Sequence, residues 1–480
     1  MSYTTVTSEH IQQFSDIVGS DNILQGEGHC WSYGYDNSRR QNTPQLVLFP
    51  RHAEHIQKIV SLCHQYKIPL TARGRGTGTT GATVPIYGGI ILSSERMVEI
   101  IKIDPANRLM VVQPGVTNQQ VQDAAAKHGF FWGPDPTSAA FCSVGGNLAY
   151  NSAGPRAVKY GTTRDNVLGL SAVSGRGELL KCGVSTTKGV VGYDLTRLII
   201  GSEGTLGVIT EAILKLTPLP ETKRTMQAIY SDMSSAAAAV SRIMAQPMTP
   251  CALEFIDHKA IEMVREYSDA QLPEQAGALL MIEADGPEQG INAAIEAIQE
   301  AASGPGLVAF TAAESKEQVA ALWATRKALS PSLRKVAPKK INEDVVVPVS
   351  HMAELITGLQ QLAQKHDIII VNFGHAGNGN IHVNLLVNPD DPDEMTRAHA
   401  CLDEVFSLVL ALDGTISGEH GVGMEKQAFV GREINPATLI IMKQIKQVFD
   451  PYNILNPDKM FPLTHSTNSS PEPENNNADI

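Results

Sequence analysis

Two histidines and a carboxylate in the last quarter of the chain have the side chains that bind divalent metals. His375 and His382 flank a glycine-rich turn in the stretch 374–382, GHAGNGNIH, and Glu419-His420 lies between glycines in 417–421, SGEHG. Imidazole nitrogens and a carboxylate oxygen are ligands that suit zinc, and three protein ligands leave coordination positions open, as catalytic sites do. Because glycines free the backbone around Glu419, that side chain can turn towards the histidines. The pattern predicts a catalytic metal site.

A β-hairpin would bring the two histidines together. Asn378-Gly379 is a strong signal for a two-residue hairpin turn. With this pair at the tip, His375 faces His382, and opposed residues have Cβ atoms roughly 4.5–5.5 Å apart. Strand alternation places Asn384 on the histidine face and the apolar residues between on a core face. The alternative is an ordinary hairpin whose two histidines are hydrogen-bonded at the surface.

Composition narrows the class of protein. The chain has 480 residues, a formal net charge of −12, 42% hydrophobic and 18% charged residues. This length predicts two or three domains, and the negative charge argues against nucleic acid as a partner. No apolar run reaches the roughly 18–20 residues of a membrane span, and the first residues are polar, unlike a signal peptide. We therefore expect a cytoplasmic protein, with peripheral contact at the inner membrane left open.

Cysteine usage limits the redox chemistry. The six cysteines are scattered and form no Cys-x-x-Cys pair: Cys30, Cys63, Cys142, Cys182, Cys251 and Cys401. A disulfide scaffold or a cysteine-bound iron–sulfur cluster is therefore not expected. If the protein moves electrons, it needs an organic cofactor and an external acceptor.

Strands and helices are predicted to alternate along most of the chain, which indicates an α/β or α+β architecture. In the first half, helices are expected at 53–66 and 118–128, and strands at 45–49, 89–92, 109–112 and 198–200. In the second half, helices are expected at 291–302, 315–336 (broken near Ser330-Pro331) and 435–448, and a strand at 367–371. A Pro-rich stretch at 217–221 separates the two halves, and the polar tail from Thr464 is predicted to be disordered.

The stretch 73–81, RGRGTGTTG, contains glycines at 76, 78 and 81 in the spacing of a dinucleotide-binding fingerprint. That fingerprint should open a helix, whereas the following residues, ATVPIYGG, are not helical. A Rossmann NAD site is therefore disfavoured. Exposed N–H groups of such a loop can instead form an anion-binding nest, with Arg73 and Arg75 supplying charge for a pyrophosphate. A plain surface turn is the alternative.

Further glycine-rich loops occur at 134–138, 145–154, 160–161 and 201–210. Several such loops in one half of the chain suit a long ligand that is held mainly by backbone groups, although each alone could be a turn. Together with the first loop and the histidine stretch, these segments resemble the FAD-linked oxidase branch of the vanillyl-alcohol-oxidase (PCMH-type) superfamily. That branch includes D-lactate dehydrogenases, glycolate oxidase flavoprotein subunits and D-2-hydroxyglutarate dehydrogenases. The motifs that carry the resemblance are RGRGTG (73–78), GGN (145–147), GSEGTLGVIT (201–210), GHAGNGNIH (374–382), GEHGVG (418–423) and NPDK (456–459).

The resemblance implies an α+β fold of four segments. These are a two-subdomain FAD-binding domain (1–220), a substrate cap domain with an antiparallel sheet (221–410), a segment that returns to the flavin and metal site (411–463), and the disordered tail (464–480). The implied FAD-binding residues are Arg73, Gly74, Arg75, Gly76, Thr77, Gly78, Pro134, Thr137, Ser138, Gly145, Gly146, Asn147, Asn151, Gly154, Tyr160, Gly161, Glu203, Gly204, Val208, Ile209 and Asn456. The glycine loops would hold the pyrophosphate, and Asn456 would approach the isoalloxazine ring. Because the first loop offers no histidine, FAD is expected to bind noncovalently.

The resemblance also assigns the chemistry. His375, His382 and Glu419 correspond to metal ligands and His420 to the catalytic base, while Arg326, Lys340 and Asn384 correspond to substrate-binding residues. The choice of Lys340 over Lys335 or Lys339 is open, because all three lie close together in the sequence.

The implied reaction is oxidation of a D-2-hydroxy acid, D-lactate being the expected substrate, with D-2-hydroxyglutarate and glycolate as alternatives. The metal is expected to be zinc, the electron acceptor a quinone, an electron-transfer flavoprotein or a cytochrome, and a homodimer is possible. From another class, a zinc hydrolase would use the same three ligands without a redox cofactor, and a binding module would use them for no chemistry.

Overall fold

A computed structural model describes residues 2–267 and 272–463, and the predicted tail lies outside them. Strands and helices alternate along this part of the chain, as the sequence predicts. The strands are β1 Ile23–Gln25, β2 Leu46–Leu48, β3 Leu70–Arg73, β4 Ile90–Ser93, β5 Ile100–Asp104, β6 Leu109–Val112, β7 Phe130–Trp132, β8 Val167–Val173, β9 Leu179–Gly183, β10 Val208–Pro218, β11 Thr222–Tyr230, β12 Ala252–Ile256, β13 Ala278–Gly286, β14 Leu307–Ala312, β15 Lys339–Val346, β16 Ile369–His375 and β17 Asn380–Val387.

The helices connect these strands and cover their sheets. They are α1 Ser8–Val18, α2 Glu27–Cys30, α3 Ala53–Tyr66, α4 Asn118–Ala126, α5 Val144–Tyr150, α6 Ala157–Tyr160, α7 Leu195–Ile199, α8 Met233–Ala245, α9 His258–Tyr267, α10 Ile291–Ala302, α11 Lys316–Val336, α12 Met352–His366, α13 Pro392–Ala411, α14 Val430–Glu433 and α15 Pro436–Phe449. Within the described ranges no helix is both long and apolar enough to cross a bilayer.

The first half of the chain forms two sheets. The smaller has the order β1-β2-β4-β3, with β4 parallel to both β2 and β3. The larger has the order β5-β6-β10-β8-β9, with β7 also paired to β10, and is antiparallel throughout. The loop after β3, the start of α5 and the residues before β10 come together between these sheets, so three predicted glycine loops meet there.

The second half builds one antiparallel sheet in the order β14-β11-β13-β12-β16-β17-β15. One face packs on α8, α10, α12 and α13, with Ile381, Val383 and Leu385 of β17 in that core. On the other face, α9 and α11 cover Val371, Phe373 and Leu386. The sequence prediction of the core side of β17 is confirmed, and the histidines lie on the face that α9 and α11 only partly cover.

Two predicted elements are wrong. Residues 198–200 are not a strand, because Asp194 accepts a hydrogen bond from the N–H of Arg197 and caps α7, which runs from Leu195 to Ile199. Both apolar residues Ile199 and Ile200 are buried all the same, so burial alone does not distinguish strand from helix. The predicted break near Ser330-Pro331 is also absent, since α11 continues to Val336, with buried Leu329 and Leu333 packing on both sides of the proline.

Candidate active site

The hairpin that carries the histidines differs from its predicted register. Residues 376–378 form a 3-10 turn, and Gly379 follows with φ of +71°, so the connection is longer than two residues. His382 therefore lies opposite Phe373 rather than His375. Because the slip is two residues, the side-chain alternation is preserved. Both imidazoles remain on one face, with ring centroids 5.3 Å apart.

His375 is oriented by a carboxylate on the neighbouring strand. Glu254 of β12 lies opposite it in the sheet, and its Oε1 is 2.5 Å from His375 Nδ1. Arg326 of α11 donates from Nε to the other oxygen, Oε2, at 3.1 Å. Burial opposes ionisation of Glu254, but these two partners outweigh it and lower its pKa to about 2. Glu254 was not predicted, although a single carboxylate within the apolar run of β12 was a signal that the sequence offered.

A second buried carboxylate shapes the loop that carries Glu419 and His420. Asp344 Oδ2 accepts hydrogen bonds from the N–H groups of Gly418, Glu419 and His420 at 2.5–3.0 Å. Its Oδ1 accepts one from buried Lys426 at 2.6 Å. Burial raises the pKa of Asp344, but the nearby cationic groups and the N–H donors lower it well below the ordinary range. The carboxylate thus acts as the anion around which the loop folds.

Three side-chain atoms converge in a way that fits a metal ion. Glu419 Oε1 lies 3.5 Å from His375 Nε2 and 3.7 Å from His382 Nε2, and the candidate ligand atoms all lie within 4.8 Å of one another. Ligands about 2.1 Å from a tetrahedral ion are roughly 3.4 Å apart, so the spacing suits zinc better than a direct hydrogen bond.

The electrostatics of this cluster couple its carboxylates to its imidazoles. Burial opposes the charged forms of both His375 and Glu419. Nevertheless Glu254 and Glu419 raise the pKa of His375 to about 10, and the imidazoles lower the pKa of Glu419 to about 2. Burial and the neighbouring imidazoles lower the pKa of His382 to about 3. The cluster therefore pairs the anionic Glu254 and Glu419 with a cationic His375, beside a neutral His382.

His420 lies beside the three candidate ligands. Its ring stacks on His382 at a centroid distance of 5.2 Å and an angle of 13°. Its Nδ1 lies 3.4 Å from Asp344 Oδ1 without hydrogen-bond geometry. The side chain is one-fifth exposed and reaches the same cavity as His382 and Glu419.

That cavity continues from the histidines into the first half of the chain. One part is lined by His382, Glu419 and His420 together with the loop after β3 and the start of α5. A second part shares Gly74, Gly146 and Tyr150 with the first and extends to β10. The two parts adjoin at these shared residues and are together called the groove, with the histidine cluster at one end and the glycine-rich region at the other.

Most of the residues predicted to bind FAD line this groove. They are Arg73, Gly74, Arg75, Gly76, Thr77, Gly78, Thr137, Ser138, Gly145, Gly146, Asn147, Glu203, Gly204, Val208 and Ile209. The guanidinium of Arg73, however, is buried and donates to the carbonyl of Tyr35 and to Thr83. Arg75 is exposed, and the structure shows no ion pair for it among the described residues. Arg75 is therefore the better placed of the two arginines for a ligand's charge.

The other predicted FAD residues lie behind the lining. They are Pro134, Asn151, Gly154, Tyr160, Gly161 and Asn456. Asn151 ends α5 in the left-handed conformation and accepts from Thr162, and Tyr160 donates to Asp285 on β13. Asn456 donates to the carbonyl of Glu203, and its own side-chain oxygen accepts from buried Lys459. Asn151, Tyr160 and Asn456 thus hydrogen-bond to neighbouring residues, and none of the six lines the groove.

The residues predicted to bind substrate lie on the histidine face of the large sheet. Asn384 donates to the carbonyls of Val371 and His382, while its buried Oδ1 has no partner among the described residues. Arg326 also lies over the ring of Phe373 at 4.9 Å. Lys340 pairs with Leu386 on β17, so alternation places it on this face and Lys339 on the opposite one. The register thus favours Lys340 over Lys339.

Comparison with known proteins identifies both halves. A family described as "FAD linked oxidases, C-terminal domain" matches residues 219–460, and one described as "FAD binding domain" matches residues 44–183. The chain is 38% identical to glycolate oxidase subunit GlcD of Bacillus subtilis, over 95% of this chain and 97% of that protein. It is 34% identical to D-lactate dehydrogenase of Anaerostipes hadrus, over 95% of this chain and 98% of that protein.

Solved structures share the fold at low sequence identity. p-Cresol methylhydroxylase superposes with a TM-score of 0.77 at 17% identity, covering 97% of this chain and 99% of that one. 4-Ethylphenol oxidase from Gulosibacter chungangensis gives 0.75 at 19% identity, covering 96% and 99%. The fold is therefore the PCMH-type, α+β arrangement that the sequence predicted. The chain belongs to the FAD-linked oxidase family and is an FAD-dependent oxidoreductase.

Proposed function

We propose that this protein oxidises a small 2-hydroxy acid, D-lactate or glycolate, to the corresponding 2-oxo acid. The observation that carries the proposal is a pair of adjoining cavities, with a His-His-Glu cluster and His420 at one end and the glycine loops at the other. This arrangement would put a Lewis acid and a proton acceptor beside the region where the cofactor would bind.

His375, His382 and Glu419 would hold a divalent ion, for which zinc fits the ligand types and spacing. When bound, the ion would polarise the substrate hydroxyl and lower its pKa. The protein's own contribution is to fix the ligands. Glu254 orients His375, and the N–H contacts of Asp344 fix the backbone from which Glu419 projects.

His420 would take the hydroxyl proton. Its Nδ1 is the nitrogen that faces Asp344, which leaves Nε2 for the substrate. Stacking on His382 fixes the plane of the ring, and imidazole is the side chain that most often accepts a proton in general-base catalysis. Since Asp344 is anionic, it would also stabilise the imidazolium that forms.

The substrate would be held by Arg326, Lys340 and Asn384, all on the histidine face, with the two cationic side chains on its carboxylate. Arg326 uses Nε for Glu254, so its terminal nitrogens are the ones that would meet a carboxylate. The unpartnered Oδ1 of Asn384 would accept from a donor in the site.

FAD would lie in the groove, held noncovalently because the loop at 73–81 contains neither histidine nor cysteine. The flavin, when bound, would supply the two-electron acceptor. Electrons would then leave to an external quinone, electron-transfer flavoprotein or cytochrome. The B. subtilis relative is named as a subunit of an oxidase, which supports an external acceptor for this chain too.

The two candidate substrates each have a relative in their favour, glycolate through GlcD and D-lactate through the A. hadrus enzyme. The test is anaerobic bleaching of the bound flavin by glycolate, both lactate enantiomers and D-2-hydroxyglutarate, with and without a chelator. We expect bleaching by glycolate or D-lactate that is lost with the chelator and restored by zinc. A flavoprotein that no 2-hydroxy acid bleaches would overturn the proposal.

A further inference from the structure

We infer that Glu254 is a positioning residue that sets both His375 for the metal and Arg326 for the substrate carboxylate. This inference rests on the proposed function and deepens it. Glu254 is 1% exposed and lies at the centre of the large sheet, on a strand that carries none of the candidate ligands. Its two oxygens have separate partners, one on each side of the site.

The contact with His375 determines which imidazole nitrogen is left for a metal. Glu254 Oε1 lies 2.5 Å from Nδ1, so Nδ1 carries the proton and Nε2 is the nitrogen that faces Glu419 at 3.5 Å. A carboxylate behind a ligating histidine fixes its tautomer and ring orientation and makes it a stronger ligand. Glu254 is therefore built as the outer partner of His375.

The second oxygen fixes the guanidinium of Arg326. The Nε–Oε2 contact at 3.1 Å and the position over Phe373 hold the guanidinium from two directions. Because Arg326 is less than one-fifth exposed, it has little freedom to find this orientation without its carboxylate partner. One side chain thus fixes the distance between the metal-binding and the carboxylate-binding parts of the site.

The other candidate histidine ligand, His382, has no carboxylate partner of this kind. Its Nδ1 is buried and has no hydrogen-bond partner among the described residues, although it is the equivalent nitrogen of the other histidine ligand. The ligand set is therefore asymmetric. We expect metal affinity to depend strongly on the carboxylate behind His375.

The test is Glu254→Gln in the FAD-loaded protein, with two measurements. The first is zinc affinity from a chelator competition without substrate, which should weaken by about 10- to 100-fold. The second is steady-state kinetics at saturating zinc, where KM for the best substrate should rise about tenfold while kcat changes much less, because a charge-assisted contact that places Arg326 is lost. Glu254→Asp, which retains the charge, should restore part of the zinc affinity.

Glu283→Gln is the matched control. Glu283 is also a buried carboxylate on the same sheet, and its oxygens accept from Lys223, Thr225 and Trp323 rather than from a site residue. The Glu283→Gln substitution should lower the melting temperature of the protein without changing its zinc affinity or KM.

The outcomes separate this inference from the proposed function. If Glu254→Gln binds zinc and substrate as the wild type does, the positioning role is wrong. If the wild type oxidises no 2-hydroxy acid while Glu254→Gln still weakens zinc binding, the proposed substrate is wrong and the contact with His375 is supported. A wild type that binds no divalent ion overturns both.

Discussion

The two ends of the groove are built by different means. At the histidine end, side chains from β16, β17 and the 417–421 loop converge, and buried carboxylates orient them: Glu254 behind His375, and Asp344 beneath Glu419 and His420. At the other end, the lining includes seven glycines from the loops at 74–78, 145–146 and 204–207. The first end is suited to specific chemistry, and the second to holding a long ligand by its backbone contacts.

A buried acid also organises the glycine end, but in the opposite electrostatic state. Glu203 accepts from the N–H groups of Val422 and Gly423, and burial outweighs these contacts and raises its pKa to about 7. The carboxylates of the histidine end have cationic partners that depress their pKa, whereas Lys459 near Glu203 lies close enough to reduce its pKa only in part. Because each end has its own supporting acid, we expect a change at one end to affect that end most, although Glu203 contacts the backbone two residues after His420.

The largest effect is expected from His420→Ala. Loss of the proton acceptor should slow flavin reduction by substrate about 10²- to 10⁴-fold, while FAD and zinc contents stay as in the wild type. Anaerobic stopped-flow spectroscopy at 450 nm, roughly the visible flavin band, measures the rate. His366→Ala is the control, because His366 also faces a carboxylate, Glu404, but lies on α12 away from the groove. If the flavin of His420→Ala were reduced by substrate at the wild-type rate, His420 would be ruled out as the base.

Removal of the metal comes next. Because a Lewis acid contributes several kcal/mol to the reaction, a chelator should lower substrate oxidation by at least about 100-fold and leave the flavin spectrum unchanged. Zinc should restore activity to the wild type but not to Glu419→Gln, which lacks the anionic ligand. Loss of FAD on chelation would show that cofactor binding at the glycine end depends on the metal at the histidine end, and would contradict the view that the two ends are built by different means.

The third effect is a pH dependence confined to the glycine end. The pKa of Glu203 is about 7 in the folded protein and ordinarily 4.5, so its contribution to stability is fully present below about pH 4.5. It is lost as the pH rises through about 7, at most about 3 kcal/mol. Glu203→Gln should remove this component.

Thermal unfolding of both proteins between pH 5 and 8 measures the difference. Other buried acids with raised pKa, such as Asp135 and Asp257, titrate in both proteins, so the change in slope isolates Glu203. Equal slopes would mean that Lys459 keeps Glu203 ionised throughout.

The sequence was sufficient for much of the fold and for the main residues of the site, because these follow from local patterns. Helices α3 and α10 begin and end where the apolar periodicity predicts. The histidines share a face because a two-residue change of register leaves alternation intact. The strand predicted at 198–200 is wrong because a short apolar run fits a strand and a helix alike. The cap at Asp194 decides in favour of the helix.

The supporting carboxylates could not be predicted in the same way. Glu254 is separated from His375 by 121 residues, and Asp344 from His420 by 76. Their roles depend on strand order and register in the seven-stranded sheet, which no local pattern encodes. The hairpin turn also has contacts that are distant in sequence, because the Gly379 carbonyl accepts from the N–H of Val347 at 3.1 Å and a Cβ at Gly379 would collide with the Val347 carbonyl.

The smallest effect is expected from Gly74→Ala at the glycine end. A Cβ at Gly74 would collide with Ser143 Oγ, which accepts from the N–H of Gly146 at 3.2 Å and caps α5. Displacing a cap costs about 1 kcal/mol, and the α5 N-terminus with its glycines lines the groove. FAD affinity, measured by fluorescence titration, should therefore weaken about fivefold to tenfold.

Zinc affinity should not change in Gly74→Ala, because none of the metal ligands contacts the cap. Gly290→Ala is the control, since a Cβ there meets nothing within 4 Å and its φ of −99° suits any residue. If Gly74→Ala weakened zinc binding as much as FAD binding, the glycine end and the metal site would depend on the same supporting structure. If it changed neither, the start of α5 would have no part in holding the cofactor.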